Sequence, residues 1–311
     1  MKRCDLHMHS VFSDGTLSPS ELVALAEETG LSAIALTDHN TVLGLKEFMK
    51  AGETSSVSTI PGCEFTTEYR HKEIHMVGLF LQEAVWEDVE NYFTQLKESK
   101  RESNHLLIQN LQNAGYEITY EEAAASTEAS EFNRAHVATL LRQKGYIRNI
   151  KDAFDTILKE GNGYYIPPKR LDVFQTIRYI KSIDGVAVLA HPFLSLTETE
   201  LREFLPEAKK SGLDAMETRY SEFDAETTEK AQKIAEEYEW LQSGGSDFLG
   251  EIKPGIQMGS GRGTLCVPME YLESLQKRRN SGELNLPAAI SYDGGNGFFY
   301  IHMKYNQGGH E

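Results

Sequence analysis

Two histidines two residues apart, His7 and His9, stand at the start of the chain. On an extended segment such positions point to one face. A pair of imidazoles on one face suits a divalent cation. Asp14 follows in a Gly-containing loop, and His39 comes directly after Asp38. Glu64 lies in Pro61-Gly62-Cys63-Glu64-Phe65 and His75 within Ile74 to Phe80. His191 precedes Pro192, and Asp247 follows Gly244-Gly245-Ser246. Imidazole nitrogens and carboxylate oxygens together form a hard-to-borderline ligand set, the type that accepts manganese, iron or zinc. A carboxylate such as Glu64 can bridge two cations while imidazoles complete each shell. Four other histidines, His71, His105, His302 and His310, have no such company and read as hydrogen-bonded structural residues.

These residues need elements that bring them to one place. Residues 4–9 read as a strand ending in the two histidines. Ser18-Pro19-Ser20-Glu21 has an N-cap serine, a proline at the first helical position and the reciprocal capping-box glutamate. Leu22, Leu25 and Ala26 share one helical face, Gly30 stops the helix, and Leu31–Thr37 is the next strand. The pattern returns with strands at 184–189, 213–217 and 239–242 and helices at 199–211 and 224–237. Strands alternating with helices predict a parallel sheet. Chemistry repeated just after strand ends predicts a barrel whose site lies at the C-terminal strand ends.

Residues 84–183 differ, being rich in helix formers. Amphipathic stretches at 87–111, 132–144 and 152–160 predict a helical insertion that caps the site. The expected organisation is a discontinuous barrel of residues 1–83 and 184–284, an insertion of 84–183, and a C-terminal hairpin or tail of 285–311 that carries Gly294-Gly295.

Bulk properties narrow the function classes. Over 311 residues, 31 Lys and Arg against 47 Asp and Glu give a formal net charge of −16. Nonspecific binding of long nucleic acid needs a basic face, so that class is not expected. Cys4, Cys63 and Cys266 are odd in number and widely spaced, which argues against a disulfide framework and for a reducing compartment. The N-terminus has no apolar signal segment and no stretch reaches membrane-spanning length, so the expected location is the cytoplasm, with no membrane partner.

The motifs together closely resemble the PHP (polymerase and histidinol phosphatase) family. They are Asp5-Leu6-His7-Met8-His9-Ser10, Ser13-Asp14-Gly15, Thr37-Asp38-His39-Asn40, Pro61-Gly62-Cys63-Glu64, His75-Met76-Val77-Gly78, Ala190-His191-Pro192 and Gly245-Ser246-Asp247-Phe248, in family order. The match looks most like the stand-alone subgroup that contains nucleotide phosphatases. The resemblance implies a distorted (β/α)7 TIM-like barrel with a helical insertion and two or three divalent metal ions. It implies one metal on His7, His9, Glu64 and Asp247, and a second on Glu64, His75 and His191. A third would take Asp14, His39 and a histidine two residues after Asp247. This chain has Leu249 there, so the third ligand set is incomplete.

The implied chemistry is hydrolysis of a phosphate ester, in which paired cations acidify a water that attacks phosphorus in line. Asp247 and His191 serve at the reacting centre. Asp38 either holds a ligand imidazole in its tautomer or is a turn aspartate. In the insertion, Arg134 and His136 resemble the subgroup's phosphate-facing Arg-x-His segment, with Lys169-Arg170 and Arg262 as further cationic candidates. Tyr164-Tyr165 either stacks on a base or packs beside Pro167-Pro168. The favoured substrate is a nucleotide or nucleoside 3′,5′-bisphosphate. Cleavage from the 5′ end of short RNA, and a degenerate non-catalytic domain that binds a nucleotide or protein, are the alternatives. Residue types leave amino-sugar and histidinol phosphates open. Hydrolysis of a C–N bond is disfavoured, because no strand end carries a candidate carbamylated lysine.

Overall fold

The computed structural model describes residues 2–127, 132–281, 290–293 and 298–301. Its strands are β1 (Arg3–Asp5), β2 (Ala33–Leu36), β3 (Ser58–Tyr69), β4 (Lys72–Leu79), β5 (Leu171–Asp172), β6 (Val186–Leu189), β7 (Ala215–Tyr220), β8 (Leu241–Gly245), β9 (Val267–Pro268), β10 (Ile290–Asp293) and β11 (Phe298–Ile301). The main sheet runs β8-β7-β6-β4-β3-β2-β1-β9, with β5 beside β3. Its two ends meet: the Leu6 amide donates to the Gly244 carbonyl at 3.1 Å and Met8 bridges Phe248. The result is a nearly closed α/β barrel of the expected TIM-like class.

Strands β2, β6 and β7 are buried almost throughout, as expected where helices cover the outside of a barrel. The helix at Pro19–Glu28 starts with the capping box read from Ser18 and Glu21. It buries Leu22, Val23 and Ala26 against the sheet.

The expectation of a parallel sheet fails at β4. This strand is antiparallel to both β3 and β6. A two-residue turn, Arg70-His71, joins β3 to β4, and both residues have positive φ, 49° and 65°. That conformation matches the strand twist in a hairpin but ordinarily selects Asn and Gly. Neither residue type announced it. The strand expected over 4–9 is also shorter: β1 ends at Asp5, and His7 and His9 lie in the extended segment beyond it.

In the middle of the chain, helices occupy Trp86–Tyr92, Thr94–Asn113, Tyr120–Ala124, Arg134–Gln143 and Ile150–Asp155. The single helix expected over 87–111 is broken at Phe93, whose buried ring packs on Phe65 with centroids 5.0 Å apart. The helix expected over 152–160 stops at Asp155, and Leu158 turns into the core with its amide on the Ala153 carbonyl. Residues from Leu107 to Tyr165 form their own hydrophobic cluster, whereas Val89, Phe93, Val173 and Ile177 belong to the barrel's. The separately packed unit is therefore narrower than 84–183, because its flanking helices lie on the barrel. Strands β10 and β11 pair antiparallel near the C-terminus; Gly294, Gly295, His302 and His310 lie outside the described residues. Among the described residues, no helix is long and apolar enough to cross a membrane.

Candidate metal centre

Glu64 is the hub of the site. It sits on β3, wholly buried, where the isolated bridge His39–Glu64 ties the end of β2 to it. Its Oε2 lies 3.1 Å from His7 Nε2, 3.3 Å from His9 Nε2 and 3.1 Å from His39 Nδ1. Its Oε1 lies 2.9 Å from His75 Nδ1 and 3.1 Å from His191 Nε2. Asp247 Oδ1 adds a contact of 3.1 Å to His9 Nε2. Asp14 stands further out, 3.7 Å from His9 Nδ1 and 3.9 Å from His39 Nε2. Residues separated by up to 240 positions thus converge, because they follow or occupy several different barrel strands.

Close approach of backbones makes this possible. A Cβ on Gly245 would lie 2.3 Å from His7 Cβ, and one on Gly15 would lie 2.2 Å from the His9 carbonyl oxygen. Glycine is needed at both places. His191 and Asp247 themselves adopt positive φ, 25° and 52°, a conformation that bulky residues hold only where their surroundings enforce it.

Much of that enforcement was invisible in the sequence. Glu217 on β7 is buried; its Oε1 is 2.9 Å from His7 Nδ1, and its Oε2 accepts the His191 amide at 2.7 Å. One carboxylate therefore fixes the His7 tautomer and the His191 backbone. The only signal was an acid closing an apolar strand, Ala215-Met216-Glu217. Asp5 accepts the Ser246 amide and hydroxyl and the Gly259 amide, fastening the loop that carries Asp247. Tyr220 Oη and Lys253 Nζ both donate to Asp247 Oδ2, at 2.7 and 2.8 Å.

Asp38 departs from the reading as an imidazole partner. Its carboxylate accepts the Ser10 amide at 2.7 Å and the Ser10 and Ser13 hydroxyls at 2.6 Å each. It shapes the loop between His9 and Asp14, the turn role that was the alternative.

Burial alone would raise the Glu64 carboxyl, but the surrounding imidazoles hold it well below the usual carboxylate range. Asp247 is likewise held down, against burial, by His9 and Lys253. Burial would lower His9 and His75, but the carboxylates beside them push both up to about 10. Burial dominates at His39 and brings it down to about 4, leaving that ring neutral.

The donor set fits cations. His7 Nε2, His9 Nε2, His39 Nδ1, His75 Nδ1 and Glu64 Oε2 are buried without a hydrogen-bond partner in good geometry. Buried polar atoms of this kind are costly unless something satisfies them. Three overlapping groups could each hold a metal: His7, His9 and Glu64; His39, Glu64 and His75; and His9, Asp14 and His39. The last has Asp14 in place of Glu64, and the buried Leu249 adds no ligand atom to it.

A cavity of about 320 Å³ opens over the cluster. Asp14, His39 and His75 line its floor; Arg134, Tyr165, Lys169 and Arg170 line its wall. The Arg134 guanidinium lies over the Tyr165 ring at 4.3 Å, which aims its edge while leaving polar capacity. Arg170 is held by Glu68, Glu73 and Glu160. Two expected phosphate-binding residues are placed otherwise. His136 Nδ1 accepts the Asn133 amide in a helix cap, and His136 does not line the cavity. Arg262 is also off the cavity, 2.9 Å from Glu222.

The PHP domain profile matches residues 5–167, which include Glu64 and every ligand candidate before it. The chain belongs to the PHP domain family. The PHP match stops before His191 and Asp247, so their position beside Glu64 extends the likeness through the rest of the barrel. A 5′-3′ exoribonuclease from Haemophilus influenzae is 32% identical over 79% of this chain and 90% of its own. A 3′,5′-nucleoside bisphosphate phosphatase from Chromobacterium violaceum is 24% identical over 83% of this chain and 91% of its own. A solved structure from Bifidobacterium adolescentis, assigned as a metal-dependent phosphoesterase, superposes with a TM-score of 0.77 and 26% identity over 89% of this chain and 96% of its own. This PHP protein is a metal-dependent phosphoesterase, a hydrolase. The non-catalytic reading is thereby set aside.

Proposed function

We propose that the chain removes a phosphate from a nucleoside 3′,5′-bisphosphate or a closely related nucleotide. The observation that carries this reading is one carboxylate, Glu64, meeting five histidines, two of which, His39 and His75, line a cavity that also has arginine and lysine in its wall. His7, His9, Glu64 and Asp247 would hold one divalent cation; Glu64, His75 and His191, joined by His39, would hold another. Manganese, iron and zinc all suit these ligands. When bound, the metals supply Lewis acidity for activating water and neutralising phosphoryl charge.

The chain's own residues do the rest. Arg134 presents a planar fork of donors to phosphate oxygens, and Lys169 a point charge. A cavity of about 320 Å³ is of the size that takes a small ligand. Asp247, anchored through Oδ2, keeps Oδ1 directed at the centre. It can take a proton from the attacking water.

A second reading is stepwise cleavage of short RNA from its 5′ end, favoured by the likeness to the Haemophilus influenzae exoribonuclease. Both uses place a terminal nucleotide in the same cavity. Assay of the manganese-loaded protein on adenosine 3′,5′-bisphosphate and on a 5′-phosphorylated RNA pentamer separates them. Phosphate released from the bisphosphate at the higher kcat/KM supports the first reading, and preferential release of mononucleotides supports the second. His191→Ala should lower either rate by at least about 100-fold. Activity that survives His191→Ala would sink both.

A further inference from the structure

His75 turns one ring nitrogen to the centre and the other away from it. Nδ1 lies 2.9 Å from Glu64 Oε1 and is buried without a hydrogen-bond partner in good geometry, which makes it the ligand atom. Nε2 lies 3.3 Å from Glu73 Oε1. Glu73 and His75 are two residues apart on β4 and share one face, so the strand itself puts the acid beside the ring. A neutral imidazole that binds a cation through Nδ1 carries its proton on Nε2 and donates it; Glu73 is the acceptor.

The other oxygen of Glu73 has a different partner. Oε2 lies 3.3 Å from Arg170 Nη2. The same guanidinium meets Glu160 Oε2 at 3.0 Å and Glu68 Oε2 at 3.2 Å. Glu68 stands directly opposite Glu73 in the β3–β4 ladder. Like charges at opposed positions are unfavourable without a cation between them, and Arg170 is that cation. With three carboxylates around it, Arg170 has no surplus positive charge to offer a phosphate. It comes just before β5, which lies along β3, so the acids hold the chain where it returns from the helical insertion to the barrel. Lys169, its neighbour on the cavity wall, is placed by the same contacts.

We propose that Glu73 is a positioning residue that joins the metal floor to the substrate wall: it fixes the His75 tautomer with one oxygen and the Arg170 segment with the other. This rests on the phosphoesterase reading above.

Glu73→Gln keeps the shape but cannot serve both partners. Its amide has one acceptor oxygen, so the nitrogen must face either His75 Nε2 or Arg170. Manganese titration read by electron paramagnetic resonance should show one of two sites weakened about 10–100-fold and the other unchanged, because His75 belongs to only one of the proposed ligand sets. At saturating manganese, hydrolysis of adenosine 3′,5′-bisphosphate should recover kcat to within about threefold of wild type while KM stays raised about 10-fold, the scale of one lost charged hydrogen bond. Arg170→Lys keeps the charge without the fork; it should raise KM similarly and leave both manganese affinities within about threefold of wild type. A single site in the wild type, equal weakening of both sites in Glu73→Gln, or no weakening would overturn the proposal. So would a wild-type KM in Glu73→Gln, or loss of metal in Arg170→Lys. Wild-type protein that binds two manganese ions but hydrolyses neither the bisphosphate nor RNA would bring down the phosphoesterase reading alone, since the titration still judges Glu73 at His75.

Discussion

At the scale of the residue, the centre depends on groups that never touch a cation. Glu217 binds His7 Nδ1 and the His191 amide at once, so it sets a tautomer at one ligand and a backbone position at another. Glu217→Gln keeps the shape but removes the charge and offers a donor where only acceptors fit. Metal affinity should fall about 10–100-fold, with little change in the protein's secondary structure. Titration with manganese, read by electron paramagnetic resonance, checks this; an unchanged dissociation constant would show that packing alone holds His7. The ligand candidates were legible because metal sites need specific residue types and the types repeat at strand ends. Glu217, Tyr220 and Lys253 were not, because an acid, a phenol and a lysine in mid-sequence carry no local sign of what they will face. Asp38 shows the converse. It has the right type beside His39, yet its carboxylate is claimed by Ser10 and Ser13, and only the fold reveals that.

At the scale of the element, the alternating βα pattern was readable wherever caps and apolar runs agreed, as at Ser18–Glu28. It failed where the chain used an uncommon device. The β3–β4 hairpin turns on Arg70-His71, and the long helix breaks at Phe93, whose ring packs beside Phe65. Another such device is the start of β7. Asp214 is buried, accepts the Ala187 amide at 3.0 Å, and holds Lys181 at 2.6 Å and Arg278 at 2.9 Å. It pins β6, the helix at Val173–Ser182 and the helix at Met269–Asn280 together. Asp214→Ala removes the shared carboxylate from the Ala187 amide, Lys181 and Arg278. We expect a loss of about 3 kcal/mol in urea unfolding, moderated by the partial exposure of Arg278. A loss below about 1 kcal/mol would mean that the three elements are held by apolar contact alone.

At the scale of the molecule, protons and metals compete for the same nitrogens. In the metal-free chain His9 and His75 are pushed from the ordinary 6.5 up to about 10 by their carboxylate neighbours, against the effect of burial. Groups raised on folding stabilise the folded state fully below about pH 6.5, and that contribution fades as pH climbs toward 10. The melting temperature of the chelator-stripped protein should therefore decline between pH 6.5 and 9.5. Metal uptake must displace those protons, so manganese affinity should rise through the same interval, with proton release measurable by calorimetry in buffers of different ionisation enthalpy. A melting temperature that stays flat between pH 6.5 and 9.5 would indicate that the two rings are neutral without metal.

The meeting of β1 with β8 has a further meaning for how the protein comes to be active. Its ligands are spread from His7 to Asp247, and the segment bearing the first is hydrogen-bonded to the segment bearing the last, with the Asp247 amide on the His7 carbonyl at 2.9 Å. Strands β1 to β4 pair with one another and already carry every member of the three candidate metal groups, whereas His191 and Asp247 come from the other side of the ring. Closing the ring is therefore what completes the ligand sets, and a break at the β1–β8 seam would strip the centre of Asp247 while leaving its older half in place.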